Sequence, residues 1–403
     1  MKRRSISVFD HSSAEIKIAS LFSGCGGLDH GFEEAGFRIH FAADQNADAV
    51  ECYNSSLRPV ARQLMIDKNF EFPFQPDVII AGPPCQGFST GGGYKANDER
   101  NDLLISTCSI IARSKPQLAV IENVEALTNR RNTCYFSTAL EALASAGYHC
   151  EWSVLSATDF GVAQRRRRTV IIARKNAPFT MYRASPREAV KLSSVLSGIS
   201  DSDINHKPIC HSPDSKHYRI ALRIKPGQKL CNVRSGPNSV PTWEIPEVFG
   251  STNSAEKQVL HAVRQLRRTE RKRSYGDADP VSIDRLSATC ASADAQTIDN
   301  LRRIGYLRVV GNEIDLTNTF NGKYRRLRAD DVSPTVDTRF GDIQLFLHPL
   351  EHRGMTVREA ARIQGFSDKI KFPRNEKTAF RLIGNAVPPP MALELAKYCR
   401  ELL

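Results

Sequence analysis

One cysteine, Cys85, stands in the stretch GPPCQGFS, residues 82 to 89, just after the short apolar run Asp77 to Ala81. The run reads as a buried strand halted where two prolines offer the ladder no amides. A thiol just past the carboxyl end of such a strand lies where open α/β sheets hold their ligands. By type alone it is either a small core side chain or a nucleophile. Glycines 87, 91, 92 and 93 follow, and they suit a mobile lid over about 86 to 97. A second apolar run, Leu118 to Ile121, leads directly into Glu122, which is placed either as a neighbour of a helix N-cap or as a proton donor at the same sheet edge. A third feature is Gln164 to Arg168, QRRRR, ahead of the apolar TVIIA. Extended backbone sends Gln164, Arg166 and Arg168 to one side and Arg165 and Arg167 to the other. The row reads either as an edge strand blunted by solvated charge or as a set of contacts to phosphate or base. Cysteine, carboxylic acid and arginines at one edge suit covalent chemistry on an electrophilic ring.

The elements that would position these groups alternate along the chain. Lys17 to Leu21 reads as a strand, SGCGG (23 to 27) as a tight turn and Leu28 to Ala35 as a helix closed by Gly36. The next strand, Phe37 to Ala43, ends at Asp44, twenty residues after Gly24, where nucleotide-binding folds often place an acid for ribose hydroxyls. That spacing favours a nucleoside-containing cofactor without separating a nicotinamide dinucleotide from S-adenosylmethionine. Strands at 77–81, 118–121, 152–157 and 169–173, with helices at 103–113 and 136–146, predict an α/β fold with a doubly wound, Rossmann-like sheet.

From about Pro178 the texture changes to Ser, Pro, Asn and Lys, which puts a domain boundary near 180. Within the second region the order is helix 254–268, short helix 282–288, second helix 293–304 and the Gly-Asn hairpin LRVV-GN-EIDL. That is the order of a winged helix, over 254 to 317. Thr356 with Glu359 forms a capping box for a helix through Gln364. The net charge of +12 favours a polyanionic partner. Ten cysteines without a CxxC pair indicate neither a disulfide framework nor a zinc site, and a reducing cytoplasm is expected. Nothing nears the roughly 18 apolar residues of a membrane span, and the basic amino-terminal stretch lacks an apolar core, so neither export nor anchoring is expected.

With these segments side by side, FSGCGGLDHGFEEAGF (22–37), GPPCQGFS, DERNDL (98–103), IENV (121–124), QRRRR, SPTVDTR (333–339), REAARIQGF (358–366) and GNAVPPPMA (384–392), the chain resembles the cytosine carbon-5 DNA methyltransferases in motif order and over most of its length. The resemblance implies a catalytic, S-adenosylmethionine-binding domain at 1–180 plus 350–403 and a smaller target-recognition domain at 181–349. It implies Cys85 as the nucleophile, Glu122 on a flipped cytosine, and Arg166 at ring and thiolate, with Gln164 and Arg168 beside it. Cofactor contacts are implied for Phe22, Gly24, Gly26, Asp44, Asp67, Pro84, Asn385 and Val387, and DNA contacts for Gln86, Ser89, Arg100, Arg325 and Arg326. Asp44 replaces the more usual glutamate, and the surroundings of Asp67 fit only in part.

The expected partner is double-stranded DNA and the expected co-substrate S-adenosylmethionine, with no metal. A monomer in the bacterial cytoplasm or nucleoid, with a cognate restriction endonuclease as a further candidate partner, completes the expectation. Two other readings share parts of this site. A tRNA cytosine methyltransferase would keep the cysteine and glutamate, but the large basic region and QGFS argue against it. A catalytically silent DNA-binding regulator would keep the fold, but here every expected catalytic residue is present.

Overall fold

The computed structural model describes residues 15–84, 102–185, 187–272, 279–317 and 320–403. Cys85, Gln86, Ser89, Arg100 and the expected lid fall outside them. The chain packs as two units. The first comprises the described residues up to Glu188 with Lys369–Lys371 and Asn385–Leu403, and the second comprises Ala189–Asp368 and Phe372–Gly384.

In the first unit the apolar runs become β1 (Ile18–Leu21), β2 (Ile39–Asp44), β3 (Ala61–Gln63), β4 (Val78–Ala81), β5 (Leu118–Val124), β6 (Tyr148–Ser156) and β7 (Arg167–Lys175), ordered β3-β2-β1-β4-β5-β7-β6 in one sheet. The first five strands pair in parallel, and β7 is antiparallel to both β5 and β6. Helices α1 (Gly27–Glu34), α2 (Ala47–Ser56), α3 (Asp102–Ser114) and α4 (Thr133–Ser145) connect them.

Strand alternation divides the core. Ile18, Val78, Ile80, Val120, Val170 and Ile172 face one side, with Leu28 and Phe32 of α1 and Met391, Leu395 and Cys399 of the carboxyl-terminal helix Pro389–Leu402. Leu21, Ile79, Ile121 and Ile171 face the other, with Leu104, Ile110 and Ile111 of α3 and Phe136 and Leu143 of α4. The doubly wound sheet is therefore present, buried on both faces as its near-continuous Val, Ile and Ala runs require. Each such large side chain taken from water contributes roughly 1.5–3 kcal/mol. Close packing on one face depends on Gly31, whose hypothetical Cβ would fall 2.3 Å from the Leu393 nitrogen.

In the second unit, α5 (Ser254–Thr269) is followed by β8 (Val281–Ser282), α6 (Ile283–Thr289), α7 (Ala295–Ile304), β9 (Leu307–Val310) and β10 (Glu313–Leu316). β10 pairs antiparallel with both β8 and β9, giving the order β8-β10-β9. Val259, Leu260, Val263, Leu286, Leu301, Leu307 and Ile314 close a single core beneath these elements. The capping box expected at Thr356 and Glu359 is formed, and its helix, Val357–Gln364, packs with this unit.

Candidate active site

The turn after β1 is built by backbone conformations that few residues adopt. Phe22, Gly24 and Gly26 have φ of +54°, +56° and +83°. Gly26 N–H donates to the Ser23 carbonyl at 2.9 Å, and α1 starts at Gly27. Asp44, at the end of β2, fixes the turn with both carboxylate oxygens. Its Oδ2 accepts Gly24 N–H at 2.9 Å and its Oδ1 accepts Asn46 N–H at 2.8 Å. Each oxygen keeps a further lone pair for a hydroxyl.

The glycines of the turn differ in what they permit. A Cβ on Gly24 would meet nothing within 4 Å, whereas one on Gly26 would lie 2.7 Å from Leu57 and one on Gly27 2.4 Å from the Val387 carbonyl. Gly24 thus borders open space, while Gly26 and Gly27 let neighbouring segments approach. Val387 is buried and Asn385, the last residue of the helix Glu376–Asn385, is exposed. Asp67 lies beyond β3, exposed, with its Oδ1 accepting Asn69 N–H at 2.8 Å. Next to it, Leu64 and Met65 are 40% and 76% exposed. Residues in such an apolar run ordinarily continue a buried strand, so no local pattern marks these exposed apolar side chains.

The second group lies at the end of β5. Its parallel partner β4 stops at Ala81, opposite Ile121, yet β5 continues to Val124 because β7 supplies antiparallel partners, Glu122 against Val170 and Val124 against Arg168. Glu122 is therefore inside a strand rather than beside a helix N-cap. Its side chain is buried, and Arg168 Nε lies 2.8 Å from its Oε1. Burial raises the Glu122 carboxyl above its ordinary pKa, with Arg168 and then Arg166 opposing that shift. The Arg168 guanidinium is pushed down by the same burial and held up by Glu122.

The chain leading to Cys85 is held at this edge. Asn123 Nδ2 donates to the Pro83 carbonyl at 3.1 Å. A Cβ on Gly82 would lie 3.7 Å from Glu122 Oε2 and 3.8 Å from the Phe22 carbonyl, so Gly82 stands between the glutamate and the glycine turn. Pro84, half-buried, is the last described residue before Cys85.

The arginine row follows the alternation expected of it: Gln164 and Arg166 are fully buried, the Arg168 side chain is 13% exposed, and Arg165 and Arg167 are exposed. β7 lies between β5 and β6, which removes the edge-strand reading. Arg167 answers Glu125 at 2.7 Å on the surface. Arg166 Nη2 donates to the Ala386 carbonyl at 2.8 Å, tying the row to the carboxyl-terminal motif. Burial lowers the Arg166 pKa well below its usual range.

One expected DNA contact is corrected. Arg326 is buried, and its guanidinium donates to the carbonyls of Ala221, Ile224, His348 and Glu351 at 2.6–2.8 Å, which leaves it no surface for phosphate. Arg325 is half-buried, with its main-chain N–H on Leu345. Among the described residues no group of three or more His, Cys, Asp or Glu could hold a metal ion, and no helix is long and apolar enough to cross a membrane.

The C-5 cytosine-specific DNA methylase family matches the chain over residues 16–401. The chain belongs to that family. The methylase is 28% identical over 430 residues to the type II methyltransferase M.AgeI of Thalassovita gelatinovora, covering 95% of this chain and 98% of the relative. It is also 28% identical over 430 residues to the type II methyltransferase M.NlaIV of Neisseria lactamica, with 94% and 97% covered. The Entamoeba histolytica methyltransferase EhMeth shares the fold, with a TM-score of 0.56 at 14% identity, covering 96% of this chain and 98% of that one. The methylase is thus a DNA (cytosine-5-)-methyltransferase.

Proposed function

We propose that this methylase transfers a methyl group from S-adenosylmethionine to carbon 5 of a cytosine extruded from a specific duplex site, through a covalent adduct to Cys85. The observation that carries the proposal is the anchored approach to Cys85: Asn123 holds Pro83, and Gly82 adjoins a buried glutamate paired with Arg168. The open space at Gly24, with Asp44 oriented beside it, fits a nucleoside-bearing ligand, and Phe22, Gly24, Asp44, Asp67, Pro84, Asn385 and Val387 are the residues that would hold it. Bound there, S-adenosylmethionine supplies an electrophilic methyl group.

The residues of the chain do the remaining chemistry. Carbon 5 of cytosine is a weak nucleophile until the Cys85 thiolate adds at carbon 6 and moves the electrons of the 5,6 double bond onto carbon 5. Glu122, whose carboxyl burial favours holding a proton, donates to ring nitrogen 3 and offsets the charge that develops. Arg166 lies in the same row, and an arginine near the thiolate lowers its pKa. Loss of the carbon-5 proton then expels the thiolate and restores the ring. Stacked base pairs block this approach, so the cytosine leaves the duplex at a cost of a few kcal/mol. Residues 181–349, nearly all of them in the second unit, supply the target recognition, and the type II relatives favour a role in modification alongside a cognate endonuclease.

The test is adduct trapping. With S-adenosylmethionine and duplex DNA carrying 5-fluorocytosine at its site, the wild type should form a denaturant-stable complex and Cys85→Ala should not. Folded Cys85→Ala protein forming the same complex would overturn the proposal.

A further inference from the structure

We infer that residues 254–272 and 279–317 form a winged helix whose helix α7 reads base edges of duplex DNA with Gln296, Asn300 and Arg303. The inference rests on the DNA-methylating reading above and adds to it the element and residues that select the site.

Topology carries the first part. Helix α5, strand β8, helices α6 and α7, and the β9–β10 hairpin follow in winged-helix order, and the pairing β8-β10-β9 places the first strand beside the last. The hairpin turns at Gly311, φ +62°, with Asn312 next to it. The Arg267 guanidinium meets the buried Asp315 carboxylate at 2.5 Å and so locks α5 to β10. These contacts make the segment a packed module rather than a run of small helices.

The surface of α7 carries the second part. Asp294 caps the helix by accepting Thr297 N–H at 2.8 Å. Ile298 and Leu301 turn into the core. Gln296, Asn300 and Arg303, spaced i, i+4 and i+7, share the side opposite that core, with Gln296 and Arg303 exposed and Asn300 half-buried. Their types match base recognition: a carboxamide presents a donor and an acceptor in one plane, as adenine N7 and N6 require, and a guanidinium presents two parallel donors, as guanine O6 and N7 require. Seven residues of helix rise about 10 Å, close to three base-pair steps of about 3.4 Å. The face is also preorganised. Asp299 pairs with Arg302 at 2.8 Å and Arg303 at 3.3 Å, and the Asn300 side-chain carbonyl accepts from Arg303.

A second surface of the module has a different character. On the outer side of α5, His261, Arg264, Arg268 and Arg271 line a hollow of about 560 Å³ with no carboxylate among its lining residues. Such a site suits phosphate, which supports affinity without sequence. It supplies the control.

The test uses the full-length protein, S-adenosylmethionine and a duplex library randomised around the methylated cytosine, read by bisulfite sequencing. Gln296→Ala, Asn300→Ala and Arg303→Ala should each relax preference at one base pair by about 5- to 150-fold, with neighbouring positions unchanged. Arg268→Gln should shift all sequences equally. If a folded α7 variant keeps the wild-type preference at every position, or loses methylation uniformly across the library and binding uniformly in competition assays, the inference fails. A wild type that methylates no cytosine in the library would refute the proposed function instead.

Discussion

Replacing Arg168 by methionine tests how the buried glutamate is held. The ion pair is 2.8 Å between Nε and Oε1, with both side chains nearly enclosed. Charge centres about 4 Å apart interact by about 4 kcal/mol at an effective dielectric of 20, and removing one partner of a buried pair typically costs about 3–5 kcal/mol. Glu122 can escape part of that cost by taking up a proton, at about 1.4 kcal/mol for each unit between its pKa and the solution pH. Burial already raises its pKa, and Arg168 is the largest opposing influence, so Arg168→Met raises it further. The folded variant then binds more protons than the unfolded chain from the ordinary carboxylate range up to the raised pKa, and its stability falls as pH rises through that window. Its deficit against the wild type should therefore be larger at pH 8 than at pH 5.5.

The assay is urea denaturation of Arg168→Met, Glu122→Gln and the double variant. The chain has two tryptophans, and Trp152 lies on β6, so a common Trp243→Phe background makes Trp152 fluorescence report the sheet. Glu122→Gln removes the stranded charge, and the double variant should be more stable than the sum of the single losses by about 2–4 kcal/mol. Additivity within about 0.5 kcal/mol, or a deficit independent of pH, would refute the reasoning.

Two other outcomes follow from buried charge. Arg326→Gln strands several enclosed carbonyls and should destabilise the second unit by at least about 3 kcal/mol, while the salt dependence of DNA binding by the folded fraction stays unchanged; a lower salt slope would return Arg326 to the DNA surface. Asp29 is fully buried, accepts Tyr53 O–H at 2.9 Å and has its pKa raised by burial from 3.8 to about 6. The folded state thus binds the extra proton between those values, and stability declines as pH rises across them. Asp29→Asn should stabilise the protein at pH 7.5 by up to about 3 kcal/mol and flatten that part of the stability curve, and thermal unfolding across pH 4–8 reads both.

Local patterns were legible where neighbours in sequence also decide the structure. The glycine turn with Asp44, the alternation within QRRRR and the Gly-Asn hairpin each depend on a period or a turn type that a short window contains. Three features were not. β5 overruns its parallel neighbour and encloses Glu122 only because β7 arrives antiparallel, a choice made some 45 residues later. The four carbonyls that enclose Arg326 come from Ala221, Ile224, His348 and Glu351, so its RR dipeptide reads the same whether solvated or enclosed. Arg166 likewise joins a carbonyl 220 residues away, a contact that no local spacing announces.

The late return of the chain to its first unit has a consequence during synthesis. The helix Pro389–Leu402 covers one face of the sheet with Met391, Leu395 and Cys399, yet it follows Glu188 by about 200 residues. At roughly 5–20 residues per second, that face waits on the order of 10–40 s on the ribosome without its cover. The nascent first unit therefore carries an adhesive apolar surface for most of the time its successor is being made. A circular permutant that places residues 385–403 ahead of β1 would supply the cover at once, and it should raise the soluble yield of the methylase in cells lacking their ribosome-bound chaperone.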